Sequence, residues 1–251
     1  DNGYGMPMNK EEAEKIYLQL AEERDDEWSM IKLAYIEMDR RNSEERLKWI
    51  QKALEKEYID AYFELGFFYQ FDEAYKDLEK AQQSYYQAAQ LGNPDGMNGL
   101  ALIYYNMPDY KGDEQAFRWF SKSADLGDSF GLYYLAVMYE NGFGTNIDKQ
   151  KAWDLYLASA DQKFSPAYRK IAQLIEEGEA PASFTGRELE YYIKAAERND
   201  IDAIHDVIRF LENDPDRQKE LFSWCQRGAQ LNNGKCICKL GKLYFYGMGT
   251  E

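Results

Sequence analysis

The sequence predicts an all-α protein, folded as a right-handed α-solenoid of antiparallel helix pairs with a repeat of about 35 residues. Three observations lead to this prediction. Two different blocks of residues recur along the whole chain, each block spaces its apolar residues as a helix does, and turn-forming residues separate the blocks. Because one helix pair of this size cannot bury its own apolar face, neighbouring pairs are expected to stack.

The first block is clearest at residues 61–69, which read Ala-Tyr-Phe-Glu-Leu-Gly-Phe-Phe-Tyr. Copies of it, some of them weaker, begin at Ser29, Ala61, Gly96, Gly131, Ala167, Ala203 and Cys236. Successive copies start 32, 35, 35, 36, 36 and 33 residues apart, and small or apolar residues at offsets 0, 1, 4, 5, 7 and 8 form a helical stripe. The block predicts the inner helix of each pair, which we call a first-block helix.

The second block alternates with the first and predicts the outer helix of each pair, the second-block helix. It is clearest at residues 81–92 and 116–127. Its closing small or apolar residue falls at Ala21, Leu54, Ala89, Ala124, Ala160, Ala196 and Ala229. These residues are 33, 35, 35, 36, 36 and 33 apart, nearly the steps of the first block. We therefore expect fourteen helices, from an outer helix at about residue 10 to an inner helix near Phe245.

Proline residues mark several of the expected helix starts. Pro94, Pro166 and Pro215 each suit a first helical turn, where a missing N–H leaves no bond unmade. We expect one solenoid over residues 1–251, with a partial repeat 1–26, repeats near 27–58, 59–93, 94–128, 129–164, 165–200 and 201–232, and a partial repeat 233–251. Neither end resembles a polar capping repeat, so we expect the chain to be a piece of a longer array.

Three Gly-x-Gly turns, within residues 2–6, 141–145 and 246–250, lie at equivalent points between the blocks. Glycine tolerates positive φ, so these turns are predicted to join helices tightly. Together with the Leu-Gly-x-x-Tyr and Lys-Ala-x-x-Trp-Tyr-x-x-Ala-Ala patterns, they resemble the Sel-one-like repeat, a relative of the tetratricopeptide repeat. The resemblance covers the whole chain and is strongest over residues 129–163, at Leu135, Tyr139, Gly142, Gly144, Lys151, Ala152, Tyr156 and Ala160.

The resemblance implies a tetratricopeptide-like solenoid that binds other proteins. Such arrays occur in bacterial signalling, cell-envelope assembly, secretion-system immunity proteins and eukaryotic protein quality control, and nothing in the sequence selects among these roles. The chain also departs from the family pattern. Repeats beginning near Ser29, Ala61, Gly96 and Ala203 lack the Gly-x-Gly turn, and residues 177–186 replace it with a longer loop containing proline and glycine.

Composition and charge narrow the possible partners. The 251 residues include 30 Lys or Arg against 45 Asp or Glu, a formal net charge of −15, with a pI near 4.7. This balance disfavours nucleic acid and anionic membrane surfaces, which attract basic proteins, and leaves a basic or neutral protein partner open. No apolar run approaches the roughly 18 residues of a membrane-spanning helix. Periplasm and cytoplasm both remain open, with reduced cysteines slightly favoured.

The residues that carry most catalytic and metal chemistry are sparse. Three cysteines, Cys225, Cys236 and Cys238, and one histidine, His205, do not supply the convergent ligands of a zinc site, so we expect no metal and no cofactor. Cys236 occupies a small-residue position, Cys225 a core position and Cys238 an exposed one. Buried free thiols are expected. The alternative is a Cys225–Cys236 disulfide, since both positions fit one interhelical core and some members of the resembled family bridge helices.

Catalytic constellations are equally poorly supported. His205 has no serine or cysteine pattern beside it, and the carboxylate clusters at residues 22–27 and 176–179 fall at helix ends, where solvated surface is expected. We predict no catalytic residues and no enzyme activity. A hydrolase-like enzyme remains the competing class, because the loop at residues 177–186 could build a pocket.

The candidate partner-binding residues are those left after the repeat framework is subtracted. Offsets 2, 6 and 9 of each first-block helix share one face, which lines the concave surface of such solenoids. The predicted contact residues are Ile31, Tyr35, Met38, Phe63, Phe67, Asn98, Leu102, Tyr105, Tyr133, Val137, Arg169, His205 and Arg209. They are mostly aromatic or apolar up to Val137, whereas the stripe is polar or charged from Glu140 to Glu212.

The apolar half predicts a groove for a helix or extended segment of a partner, with the polar half setting its register. Strong curvature of the solenoid would instead turn these aromatic residues into core, and the sequence leaves both alternatives open. We predict a non-catalytic protein–protein interaction scaffold or adaptor. One alternative within the binding class is an immunity-type inhibitor that neutralises a basic toxin or enzyme, which the acidic surface would suit. Another is a spacer domain within a larger protein.

Overall fold

The computed structural model describes residues 9–107 and 110–249, with the backbone alone at Tyr110 and Lys111. The predicted turn at residues 2–6 lies outside this part of the chain. Within the described ranges there are fourteen α-helices and two short 3₁₀ turns, with no strand. The all-α prediction is confirmed, as are the number of helices and the positions of the first and last.

Close contacts divide the chain into two units, residues 1–126 and residues 127–251, which are treated separately. The helices of the first unit are α1 Lys10–Glu23, α2 Glu27–Asp39, α3 Ser43–Glu55, α4 Ile59–Phe71, α5 Leu78–Gln90, α6 Pro94–Tyr105 and α7 Tyr110–Asp125. Those of the second are α8 Ser129–Asn141, α9 Lys149–Asp161, α10 Ser165–Glu176, α11 Glu188–Ala196, α12 Ile201–Leu211, α13 Gln218–Gln230 and α14 Gly234–Tyr246. Even-numbered helices carry the first block and odd-numbered helices the second.

Within each unit every helix packs against the next one in the chain, and α4 also contacts α6. The repeat framework explains this packing, because the starting residues of all seven first-block copies are buried. Tyr85 of α5 shows how small residues let helices approach: its ring is 1% exposed. An added Cβ would lie 2.5 Å from that ring at Gly66 and 2.8 Å from it at Gly99.

The turns before the first-block helices repeat as regularly as the helices. Each contains one left-handed residue, at Asp25, Glu57, Gly92, Gly127, Lys163, Asn199 and Asn232. In five of these turns the next residue is Asp or Asn, and its side chain accepts the N–H of the block's first residue, as Asn93 does from Gly96 at 2.7 Å. The chain reversal and the helix start are therefore encoded together.

The Gly-x-Gly turns adopt the predicted backbone. Gly142 and Gly144 have φ of +76° and +64°, and Gly247 and Gly249 have φ of +65° and +71°. The positive-φ interpretation is confirmed for the two turns that lie within the described residues.

The disulfide alternative is wrong for this structure, in which all three cysteines are free. Cys225 is 0% and Cys236 is 1% exposed, and Cys238 is exposed, as their framework positions predict. Burial raises the pKa of Cys225 to about 11, so this thiol stays protonated and is a poor nucleophile.

Candidate interaction surfaces

In the first unit, helices α2 and α4 present what we call the aromatic surface: Tyr35, Met38, Phe63, Phe67 and Phe71. The Phe67 and Phe71 rings lie 4.7 Å apart, and the Phe63 ring lies 6.4 Å from that of Phe67. Phe71 is 57% and Met38 39% exposed, whereas the other three are half-buried. Phe71 lies at offset 10, so the choice of offsets 2, 6 and 9 missed it.

The remaining predicted residues of the first unit are buried or half-buried. Ile31 and Asn98 are each only 5% exposed, and Leu102 and Tyr105 are half-buried. The predicted stripe therefore divides between the two alternatives left open by the sequence: some members belong to the core, and others leave part of their surface to solvent. How far each stripe residue is buried depends on the angles between neighbouring helices, and the spacing of residues along the sequence does not specify those angles.

Beneath the aromatic surface lies a buried polar cluster that the sequence analysis missed. Tyr35 Oη donates a hydrogen bond to Glu64 Oε1, and Glu64 is 5% exposed. Burial raises the pKa of the Glu64 carboxyl, although the Tyr35 hydrogen bond and the charge of Arg46 oppose that rise. Arg46 of α3 completes the cluster; it is 3% exposed, and burial lowers its pKa.

A sequence signal for Arg46 exists. It stands at the second-block position that holds Ala81, Ala116 and Ala152 in other repeats, and all three alanines are buried. An arginine in a column of buried alanines is the anomaly that could have identified this cluster.

In the second unit, Glu140, Glu176 and Glu212 form what we call the carboxylate ladder, each at offset 9 of its block. Each one pairs with a cation of the next first-block helix. Lys170 Nζ lies 2.7 Å from Glu140 Oε1, Lys239 Nζ pairs with Glu212, and Arg209 binds both oxygens of Glu176 at 2.8 and 2.9 Å. The ladder joins consecutive repeats by charge.

Buried tyrosines of the second-block helices support the ladder. Tyr156 Oη donates to Glu140 Oε2 at 2.6 Å, and Tyr192 Oη donates to Glu176 Oε2 at 3.0 Å. The hydrogen bonds from Arg209 lower the pKa of Glu176. Burial and the Glu176 hydrogen bond raise the pKa of Tyr192, so its hydroxyl remains a donor.

The predicted contact residues of the second unit are largely engaged within the chain. Arg169 pairs with Asp202 at 3.0 Å and with Asp206 at 3.1 Å, and Arg209 belongs to the ladder. His205 Nε2 lies 3.0 Å from Asn233 Oδ1. Tyr133 and Val137 are half-buried, and the Tyr133 ring lies 5.5 Å from the rings of Tyr156 and Phe164.

The loop at residues 177–186 packs against the core. Its Phe184 ring meets the Trp153 ring edge-to-face at 4.9 Å. The cavity beside Glu179 and Trp153 measures about 20 Å³, room for one water molecule. Across the described ranges, no three His, Cys, Asp or Glu side chains are grouped to hold a metal ion, and no helix there is long and apolar enough to cross a membrane.

Consecutive helix pairs, positive-φ glycine turns and alanine columns define a helical repeat protein. The chain belongs to the Sel1 repeat family, since the model of the Sel1 repeat matches residues 59–93, 94–128, 129–164, 189–200 and 234–251, more than half of its length. The predicted resemblance to Sel-one-like repeats is thereby confirmed. No curated protein sequence matches the chain.

Solved structures agree with this assignment. A Sel1 repeat protein from Oxalobacter formigenes is 21% identical, with a TM-score of 0.70 over 95% of this chain and 72% of that one. The Escherichia coli protein c5321, described as a protective antigen of uropathogenic strains with an SLR fold, is 25% identical, with a TM-score of 0.61 over 98% of this chain. The present chain spans 54% of the length of c5321.

A human IFIT1 dimer, solved with PPP-AAAA, is 15% identical, with a TM-score of 0.58 over 91% of this chain and 57% of that one. At that identity the likeness is one of fold alone, as it is for the Oxalobacter protein. The argument against nucleic acid as a partner therefore continues to rest on the acidic charge of this chain.

Proposed function

We propose that this Sel1 repeat protein is a non-catalytic scaffold or adaptor, which binds a segment of a partner protein on the aromatic surface of its first unit. The observation that carries the proposal is the exposure of Phe71 and Met38 beside the half-buried rings of Phe63 and Phe67. Large aromatic and Met side chains are typical anchors of protein interfaces. Sel1 repeat proteins in general serve as protein-interaction scaffolds, which supports this assignment.

The partner segment is proposed to be apolar on the side that meets the aromatic surface, with basic or neutral flanks that suit a chain of net charge −15. Tyr35, Leu102 and Tyr105 would extend the contact, while the buried Ile31 and Asn98 would support it from below. In the second unit, Arg169, His205 and Arg209 would contribute only if a partner displaced their present hydrogen bonds, so we assign them the weaker role.

The test is capture of partners on the immobilised chain, followed by mass spectrometry. The double variant Met38→Ser, Phe71→Ser is compared with the control Leu91→Ser, which removes a side chain that is 50% exposed elsewhere in the first unit. We expect wild type and the control to capture the same protein and the double variant to lose it, with melting temperatures unchanged. Capture that survives in the folded double variant would contradict the proposal.

A second candidate is neutralisation of a basic toxin or enzyme, which the net charge of −15 favours. The dependence of binding on salt separates the two. Electrostatic association weakens steeply as ionic strength rises, whereas an apolar contact persists. Binding that disappears between about 0.05 and 0.5 M salt, and that the double variant does not affect, would support the inhibitor instead.

A further inference from the structure

A pocket of about 460 Å³ opens in the first unit, where the ends of α2 and α4 meet the start of α3. Met38, Phe67 and Phe71 supply its apolar wall. Its polar lining consists of two arginines, two uncharged side chains and three carboxylates: Arg41, Arg46, Asn42, Ser43, Glu37, Asp72 and Glu73. This volume is in the usual range for a small-molecule site.

The guanidinium group of Arg46 makes no hydrogen bond to the described residues. Its Nε and Nη2 atoms are buried without an acceptor, and its guanidinium carbon lies 5.3 and 5.6 Å from the ring centres of Phe68 and Phe67. An arginine stays charged in proteins, and a buried charge without hydrogen bonds is strongly disfavoured. The side chain therefore lacks an acceptor, and a ligand in the pocket that it lines could provide one.

The nearby carboxylates do not provide this acceptor. Glu64 accepts from Tyr35 Oη. Asp72 accepts from Ser43 Oγ at 2.7 Å and from the Ala74 N–H at 3.1 Å. Both acids act on Arg46 through their charge alone.

A second donor lies one helical turn before Arg46. Asn42 caps α3, and its Oδ1 accepts the Glu45 N–H. With Oδ1 on that side, the Nδ2 of this exposed residue is available as a donor, and it has no protein acceptor within the part of the chain that the structure describes. Asn42 and Arg46 are four residues apart, so they lie on the same face of the chain around the start of α3, whose N-terminal end also favours negative charge.

We propose that this pocket binds a carboxylate that is joined to an apolar group, with Arg46 and Asn42 as donors and Phe67 and Phe71 against the apolar part. A single negative charge fits better than a phosphate, because Glu37, Asp72 and Glu73 also line the pocket and repel a dianion more strongly than a monoanion. The ligand chemistry can come from a peptide C-terminus or from a free organic acid. The inference does not depend on the proposed protein partner, since a small carboxylate tests it directly.

The test is calorimetric titration of the chain with 3-phenylpropanoate, the neutral 3-phenylpropanamide and phenyl phosphate. We expect the carboxylate to bind at least about tenfold more tightly than the amide and more tightly than the phosphate, because the charge-assisted bonds need one anionic acceptor. Equal binding of carboxylate and amide, or no carboxylate binding at all, would overturn the proposal. Tighter binding of the phosphate would overturn the choice of ligand class.

Variants locate the site. Arg46→Gln should weaken binding of the carboxylate at least about tenfold. Arg41→Gln, which removes a more exposed charge from the same pocket, should change that affinity less than about threefold. Equal losses in both would indicate diffuse attraction and contradict the assignment. Phe71→Ser, at an exposed position, should weaken the binding of 3-phenylpropanoate. This variant tests the site even if Arg46→Gln does not fold.

A short peptide that ends in Phe, compared with the same peptide carrying a C-terminal amide, distinguishes the two sources of the carboxylate, a peptide C-terminus and a free organic acid. Tighter binding of the free-acid peptide than of 3-phenylpropanoate assigns the site to chain termini, and the reverse order assigns it to free acids. Equal affinity of the free-acid and amidated peptides would exclude a chain terminus as the ligand.

Discussion

The two units use the same framework but complete offset 9 of the first block differently. In the first unit, Tyr85 Oη donates to the amide oxygen of Gln70 at 2.8 Å. In the second, Tyr156 and Tyr192 make the same bond to the carboxylates of Glu140 and Glu176. Each of these carboxylates also forms an ion pair with a cation of the next repeat, which the neutral amide of Gln70 does not. The carboxylate ladder of the second unit is therefore paired within the chain, whereas Met38 and Phe71 of the aromatic surface are exposed.

This comparison of the two units shows that a charged surface need not be available to a binding partner. From the sequence, the polar half of the stripe was expected to set the register of a partner, whereas in the structure its arginines pair with acids of neighbouring repeats in the second unit. The more available surface is the apolar one, which includes the exposed Phe71 and Met38. The following predictions test the shared framework first and the differences afterwards.

The largest effect is expected from the buried tyrosines. Tyr85→Ala and Tyr156→Ala each remove a side chain that is at most 1% exposed and should each lower the free energy of unfolding by about 3–5 kcal/mol. Similar losses in a urea titration would support a common framework. If one substitution cost less than about 1 kcal/mol, its ring could not be filling the space between helices as described.

Removal of a ladder carboxylate should come next. Glu140→Ala leaves both the buried Tyr156 hydroxyl and Lys170 without their acceptor and should cost about 2 kcal/mol in urea. Gln70→Ala, its counterpart in the first unit, leaves only the Tyr85 hydroxyl and should cost about 1 kcal/mol. Glu177→Ala, at an exposed position, is the control and should stay within about 0.5 kcal/mol. Equal costs for Glu140 and Gln70 would remove the proposed energetic difference between the units.

Left-handed turn residues offer a smaller, opposite effect. Glu57, with φ of +61°, and Lys163, with φ of +63°, occupy the turn position that is glycine at Gly92 and Gly127. Glu57→Gly and Lys163→Gly should each raise the free energy of unfolding by about 0.5 kcal/mol, because the relief of strain exceeds the added entropy of the unfolded chain. Gly92→Ala, as the reverse change, should destabilise. A loss of stability in both glycine variants would show that these turns carry no strain.

The last prediction concerns pH, and its effect is no larger. Because Arg209 lowers the pKa of Glu176 in the folded chain, the pair stabilises at pH values above the ordinary glutamate pKa, and that stability is lost as the pH falls through the lowered value. Both side chains are more than one-third exposed, so the contribution is about 0.5 kcal/mol. Arg209→Gln should reduce stability at pH 7 by this amount and leave it unchanged at pH 2. An equal loss at both values would show that the pair is not the cause.

Much of the fold follows from the sequence because it is local and periodic. The alanine and glycine columns, the Asx residue before five of the seven first-block helices and the glycine turns repeat with nearly the same steps, so a weak signal in one repeat is supported by its neighbours. The surfaces follow less directly. The half-burial of Phe63 and Phe67 depends on interhelical angles, and the Glu176–Arg209 pair joins residues 33 positions apart. Alignment of offset 9 of one repeat with offset 6 of the next would have suggested that pair.

Hydroxyl-radical footprinting of the chain, with and without its captured partner, shows which unit the partner covers. We expect oxidation of Met38, Phe67 and Phe71 to fall severalfold on binding, while oxidation of exposed residues in the second unit, such as Ile147 and Tyr244, is unchanged. Protection confined to the second unit, with Met38 and Phe71 oxidised as in the free chain, would contradict binding at the aromatic surface.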